Sequence, residues 1–398
     1  MNKLLKYIIL FFFSAGIGFL LGYLGNTVDI PPVLTILPWY VQVIIFVLTY
    51  IIAVGVHELG HAFSFSKNGV NIRAIFITFF FFVKEDQRWK LKLRPNVATI
   101  IGGIVIPDIE AVKTDSTFSK LQQALAKAIL TGPIFTLLWW LFLSCAGGVF
   151  MLISSNPLII SFWLTIVISL TFITAFLLIT CLFKNEIAIG DFPAYKLAKH
   201  DRFFTAIQLY QYALFSSDYQ RARSENQFLR NILIADLQEK LAQKDSHLYT
   251  LSIVDIFITE YLAGTIDQLP QVAWEYVEFL TEDSERIANL KSNEALLGVY
   301  IHIVRLLYAS NDSNKEKALS LYQTFKDEIK PSTPMRKYLL QQTDHAFGFA
   351  DNRAFLNNKD NICISPAHGI FKNFPGYYAD EIKLNQNLDN PVLTKGIE

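Results

Sequence analysis

Roughly four long apolar runs dominate the first half of the chain, each long enough to cross a hydrocarbon layer of about 30 Å as a helix. The first covers about Leu4 to Leu24, behind Lys3 and Lys6. It is long for the core of a secretory signal, and no convincing small-residue cleavage site follows, so an uncleaved span is predicted. The linker Asn26 to Pro32 then breaks the helix at Pro31-Pro32. The second run extends from about Pro38 to Phe65, the third lies within Leu121 to Ile153, and the fourth covers about Pro157 to Phe183. The third contains Thr131-Gly132-Pro133-Ile134-Phe135-Thr136. A Gly-Pro pair inside a span frees backbone groups that the protein must satisfy again, so this turn is expected to face the helix bundle.

Between the second and third runs the period changes. Ala74 to Val83 is short, aromatic and β-branched, and Arg88 to Arg94 alternates basic and apolar residues. Ala98 to Pro107 adds a further strand interrupted by Gly102-Gly103. The pattern predicts a small sheet over 71–107 at the membrane surface, its apolar face toward lipid, with a bare loop as the alternative. From His200 the period becomes that of amphipathic helices, as in Phe203, Ala206, Ile207, Tyr210, Ala213 and Leu214. Breaks at Asp245-Ser246, Gly264, Glu282-Asp283-Ser284 and Asn311-Asp312-Ser313 separate the helices. No fixed-period repeat is visible. Past about Asp351 the periodicity fades into a stretch rich in Asn, Pro and Lys, predicted to be flexible.

The expected fold is therefore a mainly α polytopic membrane protein. It has about four transmembrane helices and a small membrane-associated β-sheet, followed by a soluble α-helical, solenoid-like domain. The boundaries are 1–200 for the transmembrane domain, 201–350 for a cytoplasmic helical domain and 351–398 for a flexible tail.

Composition sharpens this picture. A content of 52% hydrophobic residues and a mean hydropathy of +0.32 exceed what an ordinary soluble enzyme carries. The 18% of charged residues is too many for an all-membrane chain. A formal net charge of zero gives no global field that would argue for a nucleic-acid partner. Lys67, Arg73, Lys84, Arg88, Lys90, Lys92, Arg94, Lys113 and Lys120 follow the second run, whereas the short loops after the first and third carry no basic residue. By the positive-inside rule both termini and the 66–120 segment are cytoplasmic, in a protein expected in the plasma membrane. Cys145, Cys181 and Cys363 show no paired spacing; Cys145 and Cys181 lie in apolar runs and read as small hydrophobes.

The candidate chemistry sits at the end of the second run, in His57-Glu58-Leu59-Gly60-His61. On a helix, residues four apart share a face, so His57 and His61 can point two imidazoles at one metal ion. Glu58 follows the first of them, where its carboxylate can reach an attacking water as general base. A buried histidine pair satisfied by backbone is the plainer alternative. Ionisable groups at membrane depth are costly, however, and mark functional sites. Gly55 and Gly60 would let a neighbouring helix or a substrate approach closely.

A catalytic zinc takes three protein ligands. Asp191, between Gly190 and Pro193 just past the fourth run, can turn a carboxylate inward on the same membrane side as the histidines. A helix cap is the alternative role for that aspartate, and Glu186, Asp108 and Glu110 are rival ligands. His200, His247, His302, His345 and His368 lack ligand spacing.

These features resemble the site-2 protease family of intramembrane zinc metalloproteases over about residues 35–200. The resemblance implies His57, His61 and Asp191 as zinc ligands and Glu58 as the catalytic base. It matches 71–107, with Gly102 and Gly103, to the family's membrane-associated hairpin, and Gly132, Pro133 and Thr136 to its Gly-Pro-x-x-Asn turn, both toward substrate. Thr136 stands where that Asn is usual, and Phe192 follows Asp191 where Gly is usual.

The expected activity is hydrolysis of membrane-spanning or signal-like peptides near the cytoplasmic face. The lipid bilayer surrounds the enzyme, and the helical domain could receive a protein partner. A prenyl-protein-processing membrane protease, with a Glu as third ligand, is one alternative. A non-catalytic receptor or immunity-type protein with a structural or lost metal site is the other.

Overall fold

The computed structural model describes residues 33, 36–86, 88–93, 102–184, 189–364, 371 and 374–388. Three helices among them are long and apolar enough to cross a membrane: α1 (Trp39–Lys67), α2 (Asp115–Ile153) and α3 (Pro157–Thr180). The expected run at 4–24, and with it the count of four, lies outside the described residues. At 39 residues α2 would reach about 58 Å, longer than a bilayer core. Its first turns, Asp115 to Lys127, carry the polar residues, and Pro133 sits within the helix without ending it. The described residues form two compact units, 36–56 with 136–177 and 57–135 with 178–388.

In the first unit apolar side chains remain largely exposed, among them Val43, Phe46, Leu141, Phe142 and Phe172. Its inner contacts use small residues and hydroxyls. Gly147 packs against Trp163 and Val167, and Trp140 Nε1 donates to Thr171 Oγ1 at 3.0 Å.

The second unit opens with the end of α1 and then the predicted sheet. Strands β1 (Asn71–Ile77), β2 (Phe80–Glu85), β3 (Arg88–Leu93) and β4 (Gly103–Asp108) pair antiparallel in the order β3-β2-β1-β4. Thr78 and Asp86, both at positive φ, make the tight turns. Period-two alternation gives the sheet two faces. Ala74, Phe76, Phe81, Val83 and Ile106 are buried on one face against Phe215 and Phe374. On β3 the alternate residues Trp89, Leu91 and Leu93 are exposed.

Past α3 the chain makes a narrow hairpin. Lys184 bridges Ile189, Gly190 N–H donates to Phe183 O at 2.7 Å, and Phe192 N–H to Cys181 O at 3.0 Å. A Cβ at Gly190 would lie 2.5 Å from the carbonyl oxygens of Thr180 and Cys181, so only glycine permits this approach. Helix α4 (Asp191–His200) starts at once.

The helical region follows as α5 (Arg202–Phe215), α6 (Tyr219–Ser224), α7 (Gln227–Ala242), α8 (Leu248–Leu262), α9 (Gln271–Thr281), α10 (Ser284–Ser292), α11 (Leu297–Ala309), α12 (Asp312–Glu328) and α13 (Pro334–Ala346). The predicted breaks are where helices end. Gly264 takes φ +63 beyond α8, Asp283 caps α10, and Asn311 caps α12 by accepting from Asn314 N–H. Helix α11 is buried on every side and lies among α8, α10, α12 and α13. Helix α5 packs on β4, where Ser216 and Ser217 hydroxyls donate to Asp108.

In the region expected to be a flexible tail the described residues 351–364, 371 and 374–388 include α14 (Arg353–Leu356) and α15 (Ala379–Asn387). Helix α15 escapes an apolar pattern search because polar groups hold it. Glu381 accepts from Tyr338 and Gln342, each at 2.8 Å, and Thr265 Oγ1 donates to Asp380 at 2.8 Å. Residues 389–398 lie outside the described residues.

Candidate metal centre

His57, Glu58 and His61 share the last turns of α1, and Asp191 opens α4. The helical spacing does what the sequence requires. His57 Nε2 lies 3.2 Å from His61 Nε2, with the two rings nearly perpendicular. Asp191 Oδ2 lies 3.1 Å from His57 Nε2 and 3.7 Å from His61 Nε2. His61 Nδ1 is 2.8 Å from the Ala128 carbonyl. That carbonyl can only accept, so Nδ1 carries the proton and Nε2 presents its lone pair to the cluster.

Two glycines let α1 and α2 close on each other at this point. A Cβ at Gly60 would fall 2.8 Å from Thr131 O, and one at Gly132 would fall 2.3 Å from His61 Cε1. The space over Gly132 therefore receives the His61 ring. Gly103 is equally tight, since a Cβ there would meet Glu58 Cγ at 2.4 Å and Phe76 O at 2.5 Å. Glu58 is buried, its carboxylate against the end of β4. Gly102 has open space where a Cβ would stand, and its carbonyl accepts from Thr78 N–H at 3.0 Å. Pro133 lies within α2 one residue past Gly132; Thr136 is buried and belongs to the other compact unit.

Among the rivals for the third ligand, Asp108 is engaged by Ser216 and Ser217, and Glu110 is exposed. Glu186 lies outside the described residues. Asp191 is the first residue of its helix, with Gly190 as the cap. The aspartate is therefore not the cap, and its carboxylate is aimed at the histidines instead. Burial alone would push the Asp191 carboxyl up, but the hydrogen bond with His57 and the nearby His61 and His57 charges hold it below the usual value.

Sequence reasoning missed Cys181. Read as a small hydrophobe, it is buried but places Sγ 3.3 Å from Asp191 Oδ2. No spacing signal pointed to it, because the contact exists only through the 181–192 hairpin.

The donors fit a zinc-sized cation. A tetrahedron with bonds of about 2.0–2.1 Å has edges of about 3.3–3.4 Å. The separations among His57, His61 and Asp191, 3.1, 3.2 and 3.7 Å, surround that value. Two imidazoles and a carboxylate are also the donor chemistry that zinc accepts.

Neither the curated proteins nor the solved structures contain a match to the chain. Among family descriptions, peptidase family M50 matches residues 45–345, a stretch that contains the whole cluster. With three quarters of its length covered by that match, the chain belongs to peptidase family M50, the site-2 protease family, and is a membrane metallopeptidase.

Proposed function

We propose that the protein is an intramembrane zinc endopeptidase that hydrolyses membrane-spanning or signal-like peptides near the cytoplasmic face of the plasma membrane. The observation that carries this reading is the convergence of His57, His61 and Asp191 beside the buried Glu58 at the end of an apolar helix. These three side chains would hold the ion. When bound, zinc supplies Lewis-acid polarisation of the scissile carbonyl and of the attacking water. Glu58 takes the proton of that water and passes it to the leaving amine. Because its carboxylate is shielded from bulk water, the proton is exchanged locally.

The substrate must be locally extended, because a helix hides its peptide bonds. Strand β4 offers the means, since among the described strands it lies at an edge of the sheet and its first residue, Gly103, touches Glu58. A peptide added along that edge would be held by main-chain hydrogen bonds in register with the carboxylate. Gly102 leaves room for such a strand. Pro133 and Thr136 would act on substrate from α2, and the helical region would receive a protein partner. The family match supports neither the prenyl-processing alternative nor the non-catalytic one.

Zinc content of the detergent-purified protein tests this reading. Wild type and Glu58→Gln should both hold about one zinc per chain, and Asp191→Ala should bind it much more weakly and yield it to a chelator first. A folded wild type that takes up no zinc when metal is supplied would sink the protease reading.

A further inference from the structure

The hairpin past α3 brings a fourth donor to the cluster. Cys181 Sγ lies 3.3 Å from Asp191 Oδ2, and it forms with His57 and Asp191 a set whose ligand atoms lie within 4.8 Å of one another. With a Zn–S bond of about 2.3 Å and a Zn–O bond of about 2.0 Å, a tetrahedral S–O edge is about 3.5 Å. The observed separation is close to that edge. The placement is also built in. Phe192 N–H donates to the Cys181 carbonyl, and the space against that carbonyl is open only because residue 190 is glycine. The same backbone contacts thus fix the thiol and the aspartate together.

We propose that Cys181 is a fourth protein ligand of the same ion and closes its coordination sphere in the resting enzyme. The proposal rests on the zinc-site reading above and adds a latch to it. A site with four protein ligands is closed, as structural zinc sites are, whereas a catalytic one keeps a position open. With Sγ in the fourth position, the place needed by the attacking water is taken. Rotation of the Cys181 side chain frees it, and the three remaining ligands keep the ion. In the exchange the thiol gives its proton to bulk water on ligation and regains one on release, when a water takes the vacated position. No electrons are transferred. A thiolate is a good zinc ligand, so the latch would hold until an extended substrate displaces it.

The alternative is that Cys181 only donates a hydrogen bond that positions Asp191. Cobalt separates the two roles. The full-length protein in detergent is stripped with a chelator and reloaded with Co(II); bound cobalt, its visible absorption and the near-ultraviolet thiolate-to-cobalt charge-transfer band are then recorded. The band should be present in wild type and in Cys145→Ser/Cys363→Ser. It should be lost in both Cys181→Ser and Cys181→Ala while cobalt stays bound. Cobalt bound without the band, or a band that survives Cys181→Ser, overturns the latch and leaves the protease reading intact. A wild type that binds no cobalt overturns both.

Discussion

In the helical region Glu260 is fully buried and lies against the guanidinium groups of Arg223 and Arg230, with Asp380 closing the group on the far side of Arg223. At the end of α1 two imidazoles, a carboxylate and a thiol, buried or half-buried, converge on one small volume beside the buried Glu58. The first cluster cancels its own charge, two carboxylates against two guanidiniums, and fills its hydrogen-bonding capacity from within. The second is not filled in this way: His57 and the Cys181 thiol share Asp191 Oδ2, while His61 Nε2 brings only a lone pair. That leaves lone pairs converging where the proposed cation would sit. Burial of ionisable groups alone would have marked both places. What separates the two is whether every buried acceptor already has its own donor within the cluster.

The largest effect that would sharpen this contrast is expected at Glu260. Glu260→Ala leaves Arg223 and Arg230 partly unpaired in a buried setting, a loss of about 3–5 kcal/mol. Hydrogen exchange of the α5 and α8 amides in the full-length protein should accelerate accordingly, while zinc content stays at the wild-type level. Asp191→Ala should give the mirror image, with zinc affinity sharply lowered and those amides unchanged. Loss of zinc together with protection in Glu260→Ala would show that the two clusters are one cooperative unit, and the contrast drawn above would fail.

The two clusters also differ in how far they can be read from the sequence. The spacing of His57 and His61 is a helical period, and Asp191 stands out between Gly190 and Pro193, so three donors were legible. The apolar runs of α1 to α3, the alternation of β3 and the breaks at 282–284 and 311–313 were legible for the same reason, since each is local; the turn at Thr78 that splits β1 from β2 was not. Cys181 was not, because it lies ten positions before Asp191 and nothing in the intervening pattern fixes the pairing. Helix α15 was hidden as well. Its Asp380, Glu381 and Asn385 look like a solvated stretch until Arg223, Tyr338 and Gln342 meet them from other helices. Period-based reading finds structure that apolar burial creates. It passes over structure created by buried polar partners.

A smaller effect is expected at Gly132. In an ordinary helix Gly→Ala is stabilising by about 1 kcal/mol. Here the added methyl would stand 2.3 Å from His61 Cε1 and 2.4 Å from its Nε2, so the ring must turn away from the cluster. Gly132→Ala should therefore weaken zinc binding by roughly 10- to 100-fold, comparable to the loss of a group that orients a ligand. Thermal stability should hold or rise. Chelator competition read against the unfolding midpoint checks both. A variant with unchanged zinc affinity would mean that His61 does not need its present orientation.

The smallest effect is a pH dependence confined to the self-neutralised side. His302 on α11 lies 2.8 Å from Asp255 and 3.0 Å from Glu381. Burial would lower its pKa, but the charges of Asp255 and Glu381 outweigh burial and raise it to about 10. Glu381 is raised by burial and lowered further by His302, by the Gln342 hydrogen bond and by Arg305, to about 2. A raised histidine contributes stability that is complete below its unfolded value of about 6.5 and is lost as pH climbs to the folded value. A depressed carboxylate contributes above its unfolded value of about 4.3 and loses that contribution as pH falls. The α11 amides should accordingly be best protected between about pH 4.5 and 6.5 and lose protection toward alkaline pH, by at most about 1.4 kcal/mol per pH unit. His302→Gln should flatten that alkaline slope. A slope that persists in His302→Gln would assign it to other groups and remove His302 from the neutralised core.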